Sequence, residues 1–335
     1  MSETVRPIVV VSRCLDLEAC RYNGQVIPNA FIRRLAAHAT LIPVCPEVEI
    51  GLGVPREPIR LIRRGDDVRA IQAATGQDVT ERLVGFAERF LKALPEVDGF
   101  ILKSRSPSCG IRDAKVFPSV ESEAACGHHA GLFAEMVVRR FPGLAIEDEG
   151  RLNDEAIREH FLMKLFTFAR FRQAAKADSI AALVHFHATH KFLLMAQSQK
   201  ELRAMGRLVA HAAHRPLSEV IAEYRRHLQC AWQRRARRMA LVNVFQHGFG
   251  YVSKHLTARE KALFQQTVEK YRRGRLPASA VLSLLRAWIV RFEVKYLLAQ
   301  TFFEPYPDEL RGPLDPRTAW EWDIPLARNR RPTPA

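Results

Sequence analysis

The sequence predicts an N-terminal α/β domain with a mainly parallel sheet, followed by an all-α helical domain. Three observations carry that expectation. Short apolar runs alternate with helical patterns through residues 1–150, amphipathic helical periodicity dominates 151–311, and the charge balance changes between the two. Residues 1–150 hold 19 Lys and Arg against 20 Asp and Glu, a net −1. Residues 151–335 hold 32 against 16, a net +16, together with 9 of the 12 histidines. A chain of 335 residues with 47% apolar content can bury one large core or two ordinary ones. No stretch approaches the roughly 20 apolar residues of a membrane span. The N-terminal Met-Ser-Glu-Thr-Val-Arg-Pro lacks the apolar segment and cleavage site of a signal peptide. Six cysteines are too few for a disulfide scaffold and point to metal binding or catalysis in the cytoplasm.

Taken in order, the apolar run 8–11 reads as a first strand and 30–39 as a helix. The run 41–44 is a second strand, and a Gly/Pro/Arg-rich loop follows over 51–60. Residues 61–62 and 68–71 flank Gly65-Asp66, a hairpin turn signal. Thr80 opens a helix to Leu94, 99–102 is a buried strand, 131–141 a helix, and 144–146 a last strand. The segment Glu147-Asp-Glu-Gly-Arg-Leu152 reads as the boundary. Beyond it, helices are expected at 153–171, 177–191, 198–213, 217–230, 235–249, 257–273 and 278–292, with Thr257 and Glu260 forming a capping box. The Pro-rich end from Phe303 reads as extended or disordered, with 312–335 set apart as a tail.

Three cysteines follow three of the strands: Val-Ser-Arg-Cys14, Pro-Val-Cys45-Pro-Glu47, and Lys103-Ser-Arg-Ser-Pro-Ser-Cys109-Gly110. Strand ends of an α/β sheet converge on the edge where ligands bind, so the three thiols can meet there. No two of them form a C-x-x-C pair, the usual start of a structural zinc site. A three-thiolate catalytic zinc, an iron–sulfur cluster with one open iron, and inert buried thiols remain as readings, and dispersed sulfur ligands suit the bulkier cluster best. Glu47 can carry a proton or hold a water, with Glu49 as the plainer alternative. Ser104, Ser106 and Ser108 can donate to a substrate heteroatom, whereas Lys103 and Arg105 read equally as solvated neighbours. Gly110 permits a backbone shape that other residues resist. Arg21-Tyr22-Asn23-Gly24 either brackets a flat ligand or simply turns the chain.

These motifs, with Cys20-Arg-Tyr-Asn-Gly24 and Cys45-Pro-Glu-Val-Glu-Gly-Leu-Gly-Val-Pro-Arg56, resemble the thiouracil desulfidase (TudS) family over roughly residues 6–150. The resemblance implies a [4Fe–4S] cluster held by Cys14, Cys45 and Cys109, whose unique iron takes sulfur from a thiolated base and releases it as sulfide. It also implies Glu47 as the catalytic acid/base with Ser104 assisting. The chain carries Leu17 where many members have Gly.

In the basic half, His187, His190 and Lys191 share about one helical face. No further ligand at helical spacing completes a metal site, so contacts to phosphate or sugar suit them better. Arg234, Arg235, Arg237 and Arg238 form the strongest charge run. Gln246, His247 and Lys254 follow among aromatics, a mixture suited to RNA. Lys270, Arg272, Arg273 and Arg275 lie at a helix end, where cations are favourable without any ligand. The segments Phe-His-Ala-Thr-His-Lys191, Asn-Val-Phe-Gln-His247, Tyr271-Arg-Arg-Gly-Arg-Leu-Pro277 and Gln300-Thr-Phe-Phe-Glu-Pro-Tyr306 resemble the YbgA-like domain over about 160–311. Its fusion to a desulfidase domain resembles enzymes that remove 4-thiouridine from tRNA, which implies thiolated tRNA as partner. A basic half suits such a polyanion independently, although it also suits a solubilising surface.

Overall fold

The computed structural model describes residues 5–311; the expected tail 312–335 lies outside the described residues. In chain order the elements are β1 (Ile8–Ser12), α1 (Ala30–His38), β2 (Thr40–Val44), α2 (Pro46–Glu49), β3 (Ile59–Arg64), β4 (Asp67–Gln72), α3 (Thr80–Ala93), β5 (Gly99–Leu102), β6 (Ala114–Phe117), β7 (Gly127–His129), α4 (Leu132–Arg140) and β8 (Ala145–Asp148). Then come α5 (Glu155–Lys176), α6 (Ile180–Gln197), α7 (Gln199–Ala210), α8 (Leu217–Ala231), α9 (Arg238–Val252), α10 (Ala258–Arg272), α11 (Ala278–Arg291) and the short α12 (Lys295–Leu298). Among the described residues no helix is long and apolar enough to cross a membrane.

The fold class is as the sequence predicts. β1, β2, β5 and β8 form an all-parallel sheet in the order β2-β1-β5-β8. Apolar runs without alternation are what such a sheet needs, because helices cover both faces. Val9, Val10 and Val11 of β1 are fully buried, as are Phe100, Ile101 and Leu102 of β5. A second sheet, β4-β3-β6-β7, stands beside it. Its hairpin β3–β4 turns at Gly65-Asp66 as expected, with Gly65 at φ +62°. β6 and β7, only 4 and 3 residues long, are too short to give a readable period and were not expected.

In the helical half every expected helix is present, and the Thr257–Glu260 capping box closes α10. α5 is longer than expected and packs two ways. Phe161, Leu162, Leu165 and Phe166 join Val9, Val11, Phe31 and Ile101 in the sheet's core. Further along, Phe168 and Phe171 join Phe186 and Tyr224 in the helical core. Arg172 near its end donates from Nε and Nη2 to the buried Asp98 carboxylate and from Nη2 to the Arg6 carbonyl. Residues 303–311, expected to be extended or disordered, instead fold back. Tyr306 and Leu310 are buried in the sheet-side core, an anchoring that scarce but well-placed apolar residues suffice to provide.

Candidate active site at the strand ends

β1, β2 and β5 run parallel in close register, with Ser12 opposite Val44 and Val11 opposite Ile101. Their C-terminal ends therefore open on one edge, and the loops beyond deliver Cys14, Cys45 and Cys109 to a single cavity of about 470 Å³. Cys20, Arg21, Tyr22, Glu47, Arg56, Lys103 and Ser104 also line it. All six cysteines are free. Among the described residues, no group of three His, Cys, Asp or Glu is arranged to hold a single metal ion. The three thiols line one cavity. Three soft sulfur donors suit an iron–sulfur cluster.

Burial raises the Cys14 thiol to about 11, with the neighbouring Cys45 adding to the rise. Cys109 is raised as well, first by burial, although a hydrogen bond with Ser12 opposes the rise. Cys20 is pushed up to about 12 by burial and then by Cys45 and Cys14. Each thiolate thus disfavours the next, the condition a bound metal cation reverses.

Local geometry explains each placement. The loop after β1 takes its one left-handed non-glycine residue at Asp16 (φ +63°), whose carboxylate accepts from the Asn29 N–H at 3.1 Å and pairs with Arg33. Aspartate tolerates that conformation, so Leu17 needs no glycine. Pro46 starts α2 directly after Cys45, an N-terminal position where its missing N–H costs nothing. Ser106 Oγ accepts from the N–H groups of Ser108 and Cys109 at 3.2 and 3.1 Å, which curls the loop around the third thiol. Gly110 is needed for close approach rather than for a special φ: a Cβ there would lie 2.8 Å from the Ser106 carbonyl oxygen.

Glu47 is nearly buried, and both carboxylate oxygens are engaged. Ser108 Oγ donates to one at 2.9 Å and Arg56 Nε to the other at 2.8 Å. Arg56 also donates to the Cys20 carbonyl at 2.9 Å and lies 3.9 Å from Cys45 Sγ, so one guanidinium ties two cysteine loops to the carboxylate. Glu49 points elsewhere, to an ion pair with Arg13. Ser104 lines the cavity, and its hydroxyl donates to Glu149 Oε1 at 2.8 Å while accepting from Lys103 Nζ at 3.0 Å. Lys103 in turn pairs with Glu149. Arg56, Ser12 and Glu149 were missed as functional candidates. Arg56 lies inside the Cys45–Arg56 motif with no signal of its own, and Glu149 lies in a segment whose composition reads as a boundary.

The expected RNA-contacting residues are not gathered in this way. Arg234, Arg235 and Arg237 occupy the exposed loop between α8 and α9, and Arg238 opens α9. Lys191, His247 and Lys254 are exposed, and Gln246 bonds Gln265 at 3.0 Å. His190 is 2% exposed, stacked on Phe186, with Nδ1 at 2.9 Å from the Phe186 carbonyl. His187 Nδ1 bonds the Tyr224 hydroxyl at 3.0 Å. A position in the helical core does not offer the His190 ring to RNA. The helix turns that edge inward because Phe186, one turn earlier, is also core.

Comparison with known proteins agrees with this division. An uncharacterized protein of Bacillus subtilis, YbbK, is 38% identical over 110 residues, covering 31% of this chain and 73% of that protein. An uncharacterized protein of Escherichia coli, YbgA, is 28% identical over 127 residues, covering 38% of this chain and 75% of that protein. The solved structure of a [4Fe–4S]-dependent thiouracil desulfidase, TudS, is 25% identical, covering 46% of this chain and 98% of that chain with a TM-score of 0.36. Residues 191–307 match a family of proteins of unknown function, DUF1722. Residues 9–149, which carry every residue of the cavity, match 2-thiouracil desulfurase, and the chain belongs to that family.

Proposed function

We propose that this protein is a desulfidase of thiolated uracil in tRNA, converting 4-thiouridine to uridine with a [4Fe–4S] cluster held by Cys14, Cys45 and Cys109. The observation that carries the reading is the convergence of three thiols from three strand ends on one cavity, beside a carboxylate clamped at both oxygens. The donor set fits the group, since each of the three loops brings one soft thiol to the same cavity. When bound, the cluster supplies an iron with an open position that accepts the sulfur. Around it, Arg56 and Ser108 hold Glu47 as a hydrogen-bond acceptor on the cavity wall, placed to orient a water and take its proton. Tyr22, 42% exposed at the rim with the Arg21 guanidinium 5.4 Å from its ring centre, offers a face on which a base can stack. The net +16 of residues 151–335 supports a polyanion as the carrier of that base.

The test is anaerobic reconstitution followed by incubation with thiolated tRNA and nucleoside analysis. Loss of 4-thiouridine with matching uridine is expected, and unchanged tRNA overturns the reading. Reversal of Arg234, Arg235, Arg237 and Arg238 to Glu separates tRNA from a free thiouracil base. The log–log salt slope of tRNA binding should fall by about 3, on the order of 0.7–0.9 per phosphate contact, while turnover of a thiolated nucleoside stays intact. An unchanged slope favours the free base.

A further inference from the structure

Ser104 is the only cavity-lining serine bonded to both a cation and a carboxylate among the described residues, and its surroundings fix which way its proton points. Glu149 follows β8, which pairs in parallel with β5, and the Glu149 N–H donates to the Leu102 carbonyl at 3.3 Å. The side chain therefore reaches across to the residue that follows β5 by two. Its Oε2 accepts from the Ser104 N–H at 2.7 Å and its Oε1 from the Ser104 hydroxyl at 2.8 Å. Lys103 Nζ donates to Glu149 Oε1, to the Ser104 carbonyl at 2.8 Å and to Ser104 Oγ at 3.0 Å. Neither acid nor amine is free to turn, since their side chains are only 11% and 21% exposed.

A hydroxyl has one proton and two lone pairs. Here the proton is committed to Glu149 and one lone pair to Lys103, which leaves a single lone pair for the cavity. Ser104 consequently meets a ligand as an acceptor and has nothing to donate, the reverse of the role its hydroxyl suggests in the sequence. A thiolated uracil carries a ring N–H beside the carbon that bears sulfur, and that N–H is the donor such a lone pair recognises. We infer that Glu149 and Lys103 are positioning residues that set Ser104 as a hydrogen-bond acceptor, so that the cavity selects thiolated bases with an N–H next to the C–S carbon. This rests on the thiouracil reading above and adds the substrate feature that is read.

Binding of 4-thiouridine and of its N3-methylated form to the reconstituted full-length protein, read by rapid mixing before turnover, tests it. The wild type should prefer the N–H form by at least about tenfold, as expected when a buried acceptor loses its donor. Glu149→Ala is the decisive variant because it removes the oxygen that accepts the Ser104 hydroxyl proton. With that acceptor gone and Lys103 still donating to Oγ, the hydroxyl proton is free to turn toward the cavity. The preference should then collapse, whereas a preference caused by methyl bulk alone would survive the substitution. Ser104→Ala, which removes the accepting oxygen and leaves the direct Lys103–Glu149 ion pair in place, should abolish it as well. Equal binding of the two nucleosides by the wild type, no measurable binding of 4-thiouridine, or a preference retained in Glu149→Ala overturns the inference. If the preference holds but thiolated tRNA is not desulfurated, the recognition stands and the proposed reaction falls.

Discussion

The strand-end cavity and the polar face of α6 look alike in sequence, since both crowd histidine, lysine, serine or carboxylate into a few residues, yet they come to opposite ends. At the strand ends the polar groups come from three loops, and Glu47 and Ser104 line open space while Glu149 bonds Ser104. Glu47 follows β2, Ser104 follows β5 and Glu149 follows β8, and they are held by partners 61, 45 and 46 residues away. On α6 the partners are set by one helix. His190 turns into the core, His187 bonds Tyr224, and Lys191 is left outside. Loops at the end of a parallel sheet gather polar groups for a ligand, whereas a helix face distributes them according to what packs against it.

The sharpest break in that comparison lies where the two halves meet. Asp98 is 1% exposed, just before β5, and its carboxylate is satisfied by Arg172 from α5 and by the Ile8 N–H at 2.7 Å. Burial pushes the Asp98 carboxyl upward, and the guanidinium opposes that push. Arg172→Ala strands the acid in apolar surroundings and should cost about 3–5 kcal/mol of unfolding free energy, measured by denaturant titration. A loss below about 1 kcal/mol would mean that the sheet does not depend on α5 through this pair.

Most of the first half was legible because its strands are unbroken apolar runs and its punctuation is plain. Ile8 to Val11, the Gly65-Asp66 turn and the three cysteine loops all stand where pattern and turn chemistry put them. The second sheet was not legible, since β6 and β7 have 4 and 3 residues and are held by register with β3 rather than by their own sequence. Glu149 was hidden for a related reason. An acidic run with a glycine after a strand has the composition of a linker, and only the parallel pairing of β8 with β5 brings its carboxylate to Ser104. Buried histidines were hidden because a helical face read without its neighbours does not say which side is core.

Acid sensitivity should separate packed histidines from those that serve a ligand. Burial holds His190 down to about 3 and His160 to about 4, and the nearby Arg170 cation lowers His190 further. Both groups are neutral above their ordinary value near 6.5, where their contribution to stability is complete. As pH falls below 6.5 the unfolded chain takes up protons that the folded chain refuses, so stability is lost at up to about 1.4 kcal/mol per pH unit for each histidine. The loss continues until the folded values are reached. His190→Phe should therefore lose about 2 kcal/mol less than the wild type between pH 7 and pH 5, as read by chemical denaturation. Equal losses would place the His190 ring in water and return it to the set available for RNA.

The smallest effect discriminates most finely, because it concerns two carboxylates on one short helix. Glu47 and Glu49 stand two residues apart on α2, both plausible as proton carriers in sequence, but a spacing of two puts them on opposite sides of the helix. Glu47 lines the cavity with both oxygens engaged; Glu49 leaves the cavity for Arg13 and is 38% exposed. An ion pair so open to water contributes about 0–1 kcal/mol. Glu49→Gln should thus shift stability by no more than that and leave the rate of 4-thiouridine loss within about threefold, whereas Glu47→Gln should lower it on the order of 100-fold or more with the cluster retained. A large rate loss in Glu49→Gln would move the proton carrier to the Arg13 pair and undo the assignment of the cavity wall to Glu47.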